Sequence, residues 1–122
     1  MTKLLGPDFI ALQVRDLAAA ERFYTEQLGL TPAPQSPPDA VLFQTEPIPF
    51  ALRKPLVDLD KSPKLGWGVA LWMKCENADS LCASLEAKDI LIIQPPVDGP
   101  FGRTFTFVDP EGYAITVHGN SG

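Results

Sequence analysis

The sequence predicts an α+β domain made of two similar halves, each a strand, a capped helix and about three further strands. Three observations predict it. An alternating apolar segment around Ile10 recurs around Leu71. Each segment is followed by a capping residue and a run of apolar residues at helical spacing. The two caps, Asp16 and Asn77, stand 61 residues apart, and strand candidates follow each helix in the same order.

The first strand lies within Asp8 to Arg15, where Ile10, Leu12 and Val14 alternate with Phe9, Ala11 and Gln13. Asp16 then caps a helix carrying Leu17, Ala20, Phe23, Tyr24 and Leu28 on one stripe, and Gly29 stands where it should end. Two short strands follow, Ala40 to Thr45 and Pro49 to Lys54, joined by a proline-containing turn. After a polar stretch the pattern restarts. Gly68 to Cys75 is a strand with Leu71, Met73 and Cys75 on one face and Ala70, Trp72 and Lys74 on the other. Asn77 caps a helix with Ala78, Leu81, Cys82 and Leu85 in phase. Ile90 to Ile93, Arg103 to Val108 and Tyr113 to His118 complete the second half, with Asp109-Pro110-Glu111-Gly112 read as a tight turn rather than a pair of catalytic acids. These boundaries give one domain over residues 1–122: a module at about 8–54, a linker at about 55–66 and a module at about 67–118. Neither half has enough apolar surface to stand alone, so the two are expected to pack around a shared sheet.

Composition narrows the function classes. A net charge of −5 argues against nucleic acid as a partner, because phosphate binding requires a basic surface. No apolar run approaches the roughly 20 residues that span a bilayer, and the first residues do not read as a signal peptide. Cys75 and Cys82 form neither a disulfide framework nor a metal motif, which fits a cytoplasmic protein with reduced thiols. The 13 prolines cluster at Pro32–Pro38, Pro47–Pro55 and Pro95–Pro100, expected to be loops or strand edges.

Phe9-Ile10-Ala11-Leu12-Gln13-Val14-Arg15-Asp16-Leu17, Phe23-Tyr24, Leu28-Gly29-Leu30, Phe101-Gly102-Arg103 and Phe107-Val108-Asp109-Pro110-Glu111-Gly112, in this order, resemble the vicinal-oxygen-chelate superfamily. That group holds glyoxalase I, fosfomycin-resistance proteins, extradiol dioxygenases and bleomycin-resistance proteins. The resemblance covers nearly the whole chain. It implies paired βαβββ modules whose mixed sheets curve into a half-open barrel, often completed across a homodimer. Metal-dependent members carry a His at the start of each module and a Glu in the final strand. Aligned by the motifs, those positions fall on Phe9, Ala70 and Thr116, none of them a competent metal-binding set. A further glutamate of glyoxalase I would fall near Leu52, in a stretch without any carboxylate. No metal site, cofactor or catalytic residue is therefore assigned.

The resemblance also implies that residues of the same parity line the cavity. That nominates Phe9, Ala11, Gln13, Phe50, Leu52, Ala70, Trp72, Lys74, Thr104, Thr106, Ala114, Thr116 and His118, with Trp67 and Arg103 at the rim. Trp72 reads equally as a stacking platform or as a residue of a dimer seam. Lys74 and Arg103 read equally as solvent-facing cations, and His118, the sole histidine, as an exposed residue at a chain end. Cys75 falls on the helix-packed face as an inert thiol. The leading expectation is a metal-free, homodimeric protein like the bleomycin-resistance branch, sequestering an aromatic or cationic small molecule as in antibiotic resistance. The alternatives are a metal-dependent lyase, isomerase or dioxygenase with displaced ligands, and a module for protein association with a vestigial cavity.

Overall fold

The computed structural model describes residues 2–120, and the chain divides into two compact units after Leu59. Each unit holds its own four-stranded mixed sheet, which corrects the expectation of one sheet shared by both halves.

In the first unit, β1 (Ile10–Gln13) leads into α1 (Leu17–Arg22), which relaxes into a π-helical turn over Phe23–Gln27. The strands β2 (Thr31–Pro32), β3 (Ala40–Gln44) and β4 (Phe50–Arg53) follow. The Asp16 carboxylate accepts the Ala19 N–H at 3.0 Å, satisfying one of the helix's unpaired donors. Gly29 ends the segment at φ +75°, a conformation that favours a residue without Cβ, and its N–H donates to the Thr25 carbonyl. The sheet order is β1-β4-β3-β2, with β1 parallel to β4 and the other pairs antiparallel.

An aromatic cluster fills the space between α1 and this sheet. Tyr24 lies 5.5 Å from Phe23, 5.4 Å from Phe50 and 6.2 Å from Phe43, centroid to centroid. Phe43 and Phe50 stack at 6.0 Å, and Val14 and Leu52 are fully buried in the same layer. Such ring pairs add to area burial through their quadrupoles.

The second unit repeats the plan. β5 (Leu71–Asn77), α2 (Ala78–Glu86), β6 (Ile92–Gly99), β7 (Gly102–Val108) and β8 (Ala114–Asn120) give the order β5-β8-β7-β6, again with the first pair parallel. Asn77 caps α2 by accepting the Ser80 N–H at 2.9 Å. Ala78, Cys82 and Leu85 of α2 are buried, as are Phe105, Phe107, Ile115 and Val117 on alternate positions of β7 and β8. The repeat therefore extends from sequence to register. Ile10 pairs with Phe50 as Leu71 pairs with Ile115, and Phe43 faces Phe50 as Phe107 faces Ile115.

Three details differ from the sequence expectation. β6 runs on through Pro95 and Pro96 to Gly99, where a loop was expected. It is an outer strand with two register irregularities, a setting in which proline's missing N–H is tolerated. β2 lies inside the first proline cluster as a two-residue edge. β5 starts at Leu71 rather than Gly68, because Gly66 and Gly68 both have positive φ and turn the chain first.

The turn Asp109–Gly112 is built around a buried carboxylate. Asp109 Oδ1 accepts the N–H groups of Glu111, Gly112 and Tyr113 at 3.0, 3.0 and 2.9 Å. Among the described residues no helix is long and apolar enough to cross a membrane.

Candidate functional site

Strand register decides which side chains share a face. In the second unit, α2 lies over the face of Phe105, Phe107, Ile115 and Val117. Residues of the opposite parity therefore share the other face. Trp72 pairs with Thr116 and Lys74 with His118 across β5–β8. Thr116 pairs in turn with Thr106, and His118 with Thr104, across β7–β8. The six nominated residues Trp72, Lys74, Thr104, Thr106, Thr116 and His118 thus stand together.

Rings dominate one side of this face. The Trp72 indole lies 5.9 Å from the Phe101 ring, edge-on at 80°, and 6.1 Å from the His118 imidazole, tilted at 53°. Phe101 belongs to the β6–β7 hairpin tip and was not nominated as a lining residue. Its only sequence signal was its place in the Phe101-Gly102-Arg103 motif, and the hairpin folds it toward Trp72. Trp72 remains 47% exposed and Phe101 68%, so both ring surfaces are available for contact. Beside them, the Thr106 and Thr116 hydroxyls are hydrogen-bonded at 2.9 Å. One proton serves that bond, leaving the other hydroxyl free to donate. Thr104 Oγ1 donates to the Val97 carbonyl at 3.5 Å, a weak contact.

Two nominations on the second unit fall elsewhere. Arg103 shares the parity of Phe105 and Phe107, so it points to the α2 side. There its Nε donates to Asp79 of α2 at 3.1 Å and its Nη1 to Asp98 at 3.3 Å. The hydrogen bond to Asp79 raises the guanidinium pKa further above its already high value. Its nomination is corrected accordingly: the alternation that puts Thr104 and Thr106 on one face puts Arg103 on the other. Trp67 precedes β5 in a turn closed by its N–H to the Lys64 carbonyl and is 75% exposed.

In the first unit the expected lining splits between two faces. Phe50 pairs in parallel with Ile10 and Leu52 with Leu12, which puts both on the helix-packed side. Phe50 is bound into the Tyr24 cluster and Leu52 has no exposed surface. Both are core residues, a correction to their nomination. The face carrying Ala11 and Gln13 continues through Ala51 and Arg53 of β4. Phe9, just before β1, is 49% exposed. Gln13 is already engaged: its Oε1 accepts the Leu56 N–H at 2.6 Å and ties β1 to the start of the linker.

The repeat also locates the β4 counterpart of Thr116, which is Ala51 rather than Leu52. The positions that would hold a divalent cation in metal-dependent relatives are thus Phe9, Ala51, Ala70 and Thr116. Phe9, Ala51 and Ala70 have no donor atom for a metal and Thr116 offers only a hydroxyl, and no group of three or more His, Cys, Asp and Glu among the described residues is arranged to bind one. The thiols offer no nucleophile for chemistry either. Burial raises the pKa of Cys75, and burial with the nearby Glu86 carboxylate raises that of Cys82, so both favour the protonated form. Cys75 is further hemmed in by β8, where a Cβ at Gly119 would collide with the Cys75 carbonyl oxygen.

A duplicated βαβββ unit, with helix-packed cores and mixed aromatic and hydroxyl residues on the far face of the second sheet, defines the class of paired-module α+β proteins. The chain belongs to the glyoxalase/bleomycin resistance protein/dioxygenase superfamily, whose family model matches residues 6–117. No curated protein sequence matches it significantly. Among solved structures, a protein from Agrobacterium tumefaciens determined by NMR in solution is 29% identical, with a TM-score of 0.72 over 98% of this chain and 100% of that one. A lactoylglutathione lyase from the same organism is 22% identical, with a TM-score of 0.66 and coverage of 98% and 96%. A glyoxalase/bleomycin resistance protein from Streptomyces sp. CB03234 is also 22% identical, with a TM-score of 0.69 and coverage of 93% and 99%. At that identity the last two share the fold with this chain and establish nothing finer.

Proposed function

We propose that this chain is a metal-free binding protein that sequesters an aromatic small molecule on the second sheet, in the manner of the bleomycin-resistance branch of its superfamily. One observation carries the reading: Trp72, Phe101 and His118 converge beside three threonines on the face away from α2. Flat apolar surface next to a few polar groups is how small-molecule sites are commonly built. The residues at the superfamily's metal positions supply no donor set, so no step through a metal is derived. A homodimer in the cytoplasm suits this reading, since both thiols are free and Trp72 would serve a seam as well as a ligand.

Titration with aromatic ligands is expected to quench or shift tryptophan emission. Trp72→Phe should remove most of the response, whereas Arg103→Gln should leave affinity within about twofold, because Arg103 faces α2. If no aromatic compound perturbs the emission at sub-millimolar concentration, sequestration is wrong. Protein purified without chelator and then dialysed is expected to carry no stoichiometric metal. Near-stoichiometric zinc, nickel, manganese or iron surviving dialysis would favour a metal-dependent lyase, isomerase or dioxygenase instead.

A further inference from the structure

We propose that the second-sheet face selects aromatic anions: a planar ring seated against Trp72 and Phe101, with a carboxylate directed to Lys74 and His118. The inference rests on the binding role just proposed and adds the sign of the ligand's charge.

The polar groups of this face share one property. The Lys74 ammonium only donates, the His118 imidazole has an N–H to donate, and the Thr106–Thr116 pair retains one free hydroxyl proton. Lys74 and His118 are register partners on adjacent strands, two residues along from the Trp72–Thr116 pair. Lys74 has no ion-pair or hydrogen-bond partner among the described residues.

Three carboxylates of the second unit are engaged away from this face. Asp79 and Asp98 are bound to Arg103 toward α2. Asp109 is turned into its own backbone. Glu76, the next exposed position along β5, lies in the irregularity between Lys74 and Asn77, past the last regular pairing with His118. The groups facing His118 are accordingly Lys74 and Trp72 from β5, Thr104 from β7 and Phe101 from the hairpin tip. A cationic ligand seated on Trp72 would meet Lys74 before Glu76, which lies two residues farther along β5. An anion would meet a cation and donors, although the chain's net charge is −5. The local arrangement outweighs the net charge because, in physiological salt, charges farther than roughly 8 Å from the ligand are largely screened.

The test uses three probes with one ring and similar spacers: phenylacetate, 2-phenylethanol and phenethylamine, titrated by calorimetry at neutral pH in physiological salt. Affinity is expected to fall in that order, with roughly fivefold or more between the anion and the cation, the size of one exposed ion pair. Lys74→Met should collapse the difference and Lys74→Arg should keep it, with circular dichroism verifying that both variants fold. Phenethylamine binding as tightly as phenylacetate, or an anion preference that survives Lys74→Met, overturns this inference and leaves the binding role standing. Binding by none of the three likewise overturns this inference, and the tryptophan titration then decides the binding role separately.

Discussion

Replacing Phe50 by alanine is expected to destabilise the protein by about 3–5 kcal/mol in urea unfolding, the range for emptying an aromatic position in a packed core. The ring sits against Tyr24 and Phe43 with only 5% of its surface exposed. The Phe9→Ala change, at a residue 49% exposed and outside the cluster, should shift stability by no more than about 0.5–1 kcal/mol. The contrast separates two pictures of β4. Were Phe50 a cavity-lining residue like Phe9, the two substitutions would cost similar amounts and both would weaken ligand binding. A small cost at Phe50 would overturn the register on which the face assignment rests.

The second large effect is expected at Asp109. Removing its carboxylate with Asp109→Ala leaves the N–H groups of Glu111, Gly112 and Tyr113 without that acceptor, at an expected cost of about 2–4 kcal/mol. Asp109→Asn keeps an oxygen in place and should cost about half as much, since only the charge is lost. Equal losses in the two variants would show that the charge, and not the acceptor geometry, holds the turn. Neither change touches the Trp72 face, so ligand response in the folded fraction should persist. An acid–base role for Asp109 in chemistry would predict the reverse, with activity lost and stability kept.

Much of this architecture can be read directly from residue order. Asp16 and Asn77 announce their helices because a short polar side chain before an apolar stripe is the local solution to unpaired N–H groups. The face of the second sheet is legible because β5 and β8 each run for seven residues, long enough for alternation to fix parity. β4 is four residues long, and its face was taken from positional analogy with relatives rather than from its own pattern. Phe50 and Leu52 alternate with Ala51 and Arg53, which is itself the pattern of a strand burying its larger side chains. A slip of one residue exchanged the faces.

Arg103 was nominated from its place in the Phe101-Gly102-Arg103 motif, although the alternation through Thr104 and Thr106 already puts it on the opposite face. Phe101 stood in a recognised motif, but nothing in the sequence marked it as a lining residue. Its contact with Trp72 depends on how the hairpin tip folds over, which no local periodicity encodes. β6 stayed hidden because consecutive prolines normally signal a break, and only its outer place in the sheet allows them.

That outer strand bears on how the protein behaves when concentrated. A free sheet edge invites a second chain to add its own strand, and repeated addition leads to fibrous deposits. Pro95 and Pro96 leave two successive backbone positions on β6 without an N–H, and the register irregularities, one just before Gln94 and one spanning the prolines, interrupt the ladder further. An incoming strand would find its acceptors unanswered in the middle of the seam. The composition that conceals β6 from a reader of the sequence thus also keeps neighbouring molecules from extending it.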